Sequence, residues 1–170
     1  RHTRYIGDWS SDVCSSDLIV MDRDRHIDLI STLKDLGAQP ILIGDGDVSG
    51  GLKAAEGSVD LLYGIGAAPE GVITATAVKA MGGFFEGRLH FMDDAFKERA
   101  LKMLGSDMHN LWSADDLCKS SDSFFIASGV CSGWIPGVKF DGNKAEVTSK
   151  IIFGDSKKTK IITNEYILGE

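Results

Sequence analysis

Proline appears only three times in this chain of 170 residues, at positions 40, 69 and 136. That scarcity excludes a polyproline rod, a collagen-like repeat or a Pro-rich linker. Cysteine is equally rare. Cys14, Cys118 and Cys131 are too few and too scattered for a disulfide framework or a zinc site, and they read as reduced thiols. The four histidines, His2, His26, His90 and His109, show no HxH or HExxH spacing. No apolar run approaches the roughly 20 residues of a membrane span, and Arg1 to Leu18 contains no apolar stretch of the signal-peptide kind. Positive charge is in deficit, with 18 Lys and Arg against 25 Asp and Glu, a net −7. An acidic protein is a poor partner for nucleic acid or an anionic membrane. A phosphorylated ligand must then be met by local groups or by metal ions.

What is present is ordinary for a globular unit. Hydrophobic residues make up 43% of the chain and charged residues 25%, enough for one domain or one lobe of a larger protein. The first eighteen residues stand apart. They follow neither a helical nor a strand period, and Tyr5 to Leu18 resembles translated sequencing-adaptor read-through. Residues 1–18 are therefore expected to be a non-native arm and 19–170 the folded unit. The arm is expected to be dispensable.

From Ile19 the pattern is regular. Ile19 to Met21 reads as a strand end. Arg25 to Leu36 reads as an amphipathic helix with Ile27, Ile30, Leu33 and Leu36 at three-residue steps and Gly37 as its stop. Pro40 to Ile43 and Val59 to Tyr63 read as buried strands, with helices over 48–56 and 69–81 after them. Strand, loop and helix at this spacing predict βαβ units. Further on, Asp93 to Leu104 reads as a helix with Phe96, Ala100 and Met103 facing inward. Ser123 to Val130 reads as a strand. Ala145–Phe153 and Thr159–Leu168 read as a hairpin with lysines at its tip. The expected class is α/β, a mixed sheet flanked by helices on both faces.

Three segments at strand ends carry the chemistry. Tyr63-Gly-Ile-Gly-Ala-Ala-Pro-Glu-Gly71 pairs two glycines, which let backbone approach a ligand, with a Pro-started helix whose free N–H groups suit an anion. Pro69 occupies the third glycine position of a dinucleotide fingerprint, and no GK[ST] follows, so neither a nicotinamide site nor a P-loop is read here. Glu70 in the first helical turn either complements the helix dipole or holds a cation between itself and a phosphate. Asp45-Gly46-Asp47 either binds sugar hydroxyls or a hard cation, or is an Asp-Gly turn with a helix cap. Arg23, Arg25 and His26 sit at a helix start, where basic residues oppose the dipole. The arginine forks suit phosphate, while His26 alone reads as structural. Arg88 is a further anion contact or a surface charge. Cys131 has no base nearby and reads as a buried thiol, and no Ser–His–Asp or Cys–His set can be assembled.

The run Val59-Asp-Leu-Leu-Tyr-Gly-Ile-Gly-Ala-Ala-Pro-Glu-Gly71 resembles the signature of class II fructose-1,6-bisphosphatases, including their bifunctional sedoheptulose-bisphosphatase forms. Arg23-Asp-Arg-His26, Asp45-Gly-Asp-Val48, Gly87-Arg88-Leu89 and Thr163 to Leu168 follow in that family's order. The resemblance implies the C-terminal lobe of the sugar phosphatase superfamily fold. It implies a cytoplasmic, gluconeogenic enzyme that hydrolyses the 1-phosphate of fructose 1,6-bisphosphate with Mg²⁺ or Mn²⁺ and is a homo-oligomer when full length, with no nucleic-acid or membrane partner. Carried over, Glu70 is a metal ligand, and Arg23, Asp24, Arg25, Asp45, Gly46, Asp47 and Ala67 contact substrate. Asp24 stands where the family often has proline, and Ala67 where it commonly has glycine. The family's Asp-Pro-x-Glu-Gly-Thr element, which belongs to its N-terminal part, has no counterpart, because none of the three prolines follows an aspartate. No catalytic residue is therefore assigned, and the chain is expected to be a fragment inactive alone. The alternative is a non-catalytic sugar-phosphate-binding or oligomerisation lobe.

Overall fold

A computed structural model describes residues 17–169. Residues 1–16, where most of the expected arm falls, lie outside the described residues. Its last residue, Leu18, opens β1 (Leu18–Met21) and is only 7% exposed, so the folded unit starts at least one residue before Ile19.

β1 is buried along its whole length because it is the middle strand of a parallel sheet ordered β2 (Ile41–Ile43), β1, β3 (Leu61–Leu62). Side chains alternate across a strand, so its two faces need separate covers. Leu18 and Val20 pack on Ile30, Leu29 and Leu33 of α1 (Ile27–Asp35). Ile19 faces the other way, with Ile43 and Leu62, beneath α2 (Asp47–Glu56). Gly50 is what lets α2 come so close, since a Cβ there would stand 3.2 Å from Leu62 Cδ1 and 3.5 Å from Ile19 Cγ2. Helices thus cover both faces, as the βαβ reading expected.

Two readings of burial are corrected. Three-residue steps drift backwards by about 60° each on a helix of 3.6 residues per turn. Ile27 and Leu36 therefore end on the outside, 60% and 79% exposed, while Ile30 reaches the core. The strands at 40–43 and 59–63 were expected to be buried. Each has β1 as its one neighbour among the described residues, and Ile41, Leu42 and Leu61 are exposed there.

α3 (Ala68–Met81) is the shared element of the molecule. It is small or apolar nearly all round, and Thr74, Ala75, Ala77, Val78 and Ala80 are buried. One side meets α2, where the place for a Cβ on Gly51 is 2.7 Å from Thr74 Cγ2. Another meets an antiparallel sheet built further along the chain. Before that sheet come a two-stranded ribbon of β4 (Glu86–Gly87) and β5 (Trp112–Ser113), then α4 (Asp94–Leu104) and α5 (Ala114–Leu117). No residue of α4 is buried, so the inward face expected for Phe96, Ala100 and Met103 is not formed among the described residues.

The antiparallel sheet holds β6 (Phe124–Ser128), β7 (Lys139–Asp141), β8 (Lys144–Phe153) and β9 (Lys158–Ile167). β8 is central: β9 lies along one side and β6 and β7 along the other. The β8–β9 hairpin stands as expected, with Lys157 and Lys158 exposed at its tip. The expectation of one mixed sheet is corrected, because the parallel and antiparallel strands form separate sheets among the described residues. Cys131 is also corrected. It lies exposed in the irregular segment after β6, and Cys118 is likewise a free thiol.

A polar clasp joins the two sheets. Glu56, at the end of α2, accepts from Trp134 Nε1 at 2.7 Å and pairs with Lys150 of β8, whose ammonium lies 4.2 Å from the Trp134 ring centroid. The Lys150 side chain is only 12% exposed, so removing its partner strands a charge. Glu56→Ala is expected to lower stability by about 2 kcal/mol in urea unfolding. A loss below about 0.5 kcal/mol would show that the clasp does not tie the sheets together.

Candidate functional site at the strand ends

The loops that leave β1, β2 and β3 all emerge at the carboxyl edge of the parallel sheet, where open α/β folds bind ligands. Strand order 2-1-3 makes the chain reverse direction across β1, and the crevice at that reversal lies between the loops after β1 and β3.

Two neighbours in sequence bridge it. Arg25 Nε donates to the Ile65 carbonyl at 2.8 Å. His26 Nε2 accepts from the Ile65 N–H at 2.7 Å, and its Nδ1 donates to the Met21 carbonyl at 2.9 Å. Ile65 is thereby held through both of its backbone polar groups. His26 is 1% exposed, one of two buried polar residues among those described, the other being Thr74.

The second half of the site gathers around Gly66. A Cβ on Gly66 would stand 2.7 Å from Asp47 Oδ2 and 3.8 Å from Glu70 Oε2. The carboxylates of α2's first residue and α3's first turn therefore flank the same loop residue. Asp47 is fixed by the Val48 N–H, which donates to its Oδ1 at 2.8 Å. Glu70 turns back on the loop and accepts from the Ala67 N–H at 3.1 Å. Gly46 has φ +90°, in the region glycine favours, and this lets the chain turn from β2 into α2 with Asp47 presented. Asp45 accepts from the Gly46 N–H at 2.8 Å.

The structure thus brings Arg25, Asp47, Ala67 and Glu70 together around Ile65 and Gly66. Arg23, Asp24 and Asp45 lie at the same edge, exposed, with no side-chain contact to that group among the described residues. The sequence pattern suggests the two glycines as room for a ligand. The structure uses Gly66 as room for Asp47, and Gly64 as room for His26, whose Nε2 would be 3.1 Å from a Cβ there. His26 is the residue that sequence reading undervalued. The available signal was its place beside Arg25 at the end of a strand.

Carboxylate oxygens are the donors a hard divalent cation takes. Among the described residues, however, no three His, Cys, Asp or Glu side chains converge, and Asp47 and Glu70 are the two carboxylates that meet at this loop. Other polar features lie elsewhere. A cavity of about 290 Å³ at the far end of α3 is lined by Lys79, Asp115, Ser121, Ser123 and Lys157. Lys79 is already paired there with Asp115 at 2.9 Å. On α5, the Ser113 hydroxyl and then its N–H hold the Asp116 carboxyl below the usual carboxylate range. No helix among the described residues is long and apolar enough to cross a membrane.

Loops from adjacent parallel strands bring an arginine and two carboxylates to one crevice, which makes this an α/β protein with a polar crevice at its strand ends. The model of the bacterial fructose-1,6-bisphosphatase family, described as glpX-encoded, matches residues 9–166. Among similar curated proteins are the D-fructose 1,6-bisphosphatase class 2/sedoheptulose 1,7-bisphosphatases of Trichodesmium erythraeum and Gloeobacter violaceus. Each is 36% identical, over 90% and 89% of this chain and 49% and 48% of those proteins. A second such enzyme of Acaryochloris marina is 38% identical over 85% of this chain and 46% of its own length. The chain belongs to the bacterial fructose-1,6-bisphosphatase family, and it spans about half the length of the curated relatives it matches.

Proposed function

We propose that this chain is the C-terminal, sugar-phosphate side of a metal-dependent sugar bisphosphatase. The completed enzyme releases the 1-phosphate of fructose 1,6-bisphosphate in gluconeogenesis. It works in the cytoplasm as a homo-oligomer, with neither nucleic acid nor membrane as partner. The observation that carries this reading is the convergence of Asp47, Glu70 and the Arg25-pinned loop at Gly66, in a chain whose relatives bear sugar-bisphosphatase names. The lobe begins with β1, whose Leu18 packs in its core, and the residues ahead of β1 are not needed for it.

In this reading Arg23 and Arg25 meet phosphate with their planar forks. Asp24, Asp45 and Asp47 accept from sugar hydroxyls, and Gly46 and Ala67 offer backbone at close range. Glu70 is one ligand of Mg²⁺ or Mn²⁺. A bound cation of this kind activates water and neutralises the leaving oxygen. The remaining carboxylates come from the part of the relatives' length that this chain does not span.

Phosphate-monoester hydrolysis is among the slowest uncatalysed reactions and needs a barrier reduction on the order of 20 kcal/mol or more. An incomplete ligand set does not supply it. With fructose 1,6-bisphosphate and Mn²⁺, the 170-residue chain is expected to release no appreciable phosphate, while calorimetry detects weak binding of fructose 6-phosphate. Robust turnover would overturn the division of labour. Absence of any sugar-phosphate binding would leave no ligand for the strand-end site.

A further inference from the structure

We propose that His26 is a positioning residue of the strand-end site. Held as the neutral Nδ1–H tautomer, it locks the backbone of the Gly64–Ala67 loop against the end of β1. The proposal rests on the reading of that site given above. It adds a residue that touches neither of the two flanking carboxylates and acts through Ile65.

The tautomer follows from the partners. The Ile65 N–H can only donate, so the Nε2 atom 2.7 Å away carries the lone pair. The Met21 carbonyl can only accept, so the Nδ1 atom 2.9 Å away carries the proton. At 1% exposure the ring has no water to replace either bond. Met21 is the last residue of β1, and Ile65 lies between the two glycines of the loop that leads into α3. The imidazole therefore transmits the rigid position of the central strand to the peptide groups next to Gly66, Ala67 and Glu70. Gly64 completes the fit. A side chain there would press on the ring, with Cβ 3.1 Å from Nε2 and 3.3 Å from Cε1. Arg25 takes the carbonyl of the same Ile65, so one dipeptide fixes the loop from both sides.

Asparagine and glutamine divide the two ring functions. In His26→Asn the amide nitrogen takes the place of Nδ1 and keeps the bond to Met21, but nothing reaches Ile65. In His26→Gln the amide oxygen reaches the place of Nε2 and still accepts from Ile65. The experiment reads amide hydrogen exchange at Ile65 and Ala67, together with calorimetric binding of fructose 6-phosphate with Mn²⁺, in the 170-residue chain. His26→Asn is expected to speed exchange at both amides and to weaken binding about tenfold, with His26→Gln within a fewfold of the parent in both. Equal losses in the two variants would reduce His26 to a general packing residue and overturn the proposal, as would unchanged exchange in His26→Asn. If the parent chain binds no sugar phosphate, the substrate reading fails separately, and the exchange difference between the variants decides for or against His26. If His26→Asn does not fold, Gly64→Ala, which crowds the ring from the loop side, is judged by the same measurements.

Discussion

Glu70→Gln should abolish most phosphate release once the chain is completed with the part of its relatives' length that it does not span. The expected loss is two orders of magnitude or more, about 3 kcal/mol of barrier. The substitution preserves the shape of the side chain and its acceptor oxygen, so the bond from the Ala67 N–H at 3.1 Å can persist. What disappears is the charge. If Glu70 only complemented the helix dipole, its removal would cost a few tenths of a kcal/mol and up to about 1 in stability, and nothing in turnover. The two roles therefore separate cleanly when unfolding and phosphate release are measured on the same variant. Near-normal activity at saturating Mn²⁺ would assign Glu70 to the dipole alone.

Gly66→Val is the second large effect, and it acts through space. Because the Cβ would stand 2.7 Å from Asp47 Oδ2, the carboxylate has to leave or the loop has to shift. Overpacking of this kind costs about 1–3 kcal/mol. Asp47 cannot simply swing away, since its other oxygen holds the Val48 N–H at 2.8 Å. Urea unfolding should show a loss of about 2 kcal/mol, and affinity for fructose 6-phosphate should fall at least tenfold. Gly71 is the control. It lies in α3, just after that loop, with nothing within 4 Å of a Cβ, so Gly71→Ala should be neutral or stabilise by up to about 1 kcal/mol. Equal behaviour of the two variants would mean that Asp47 does not lean on the loop.

The order of elements was legible in the sequence wherever local chemistry decides it. Gly37 with φ +84°, the Pro69 helix start and the lysine-tipped hairpin stand where their residue types put them. Burial was less legible, because a period says which residues share a face and not whether anything covers it. Ile27 and Leu36 show this on α1, and Phe96 and Met103 show it on α4. Sheet membership was legible only in part. The parallel strands announce themselves by their βα spacing, but nothing local tells β6 to β9 to close into a sheet of their own. In the site, the residue types and their edge of the sheet were readable. The grip of Arg25 and His26 on a residue 40 and 39 positions away was not, since it depends on two strands becoming neighbours.

That long span has a kinetic meaning. Closing a loop of some forty residues carries an entropy cost that local helices do not, so contacts across it form late in folding. The loop after β3 reaches Arg25 and His26 because β3 lies beside β1. The strand-end contacts therefore depend on the pairing of β3 with β1. Any ligand that binds there favours the finished sheet over partly formed ones by mass action. Exchange at Ile65 should accordingly follow the opening of β1 from β3, which makes one backbone amide a reporter on the integrity of the whole parallel half.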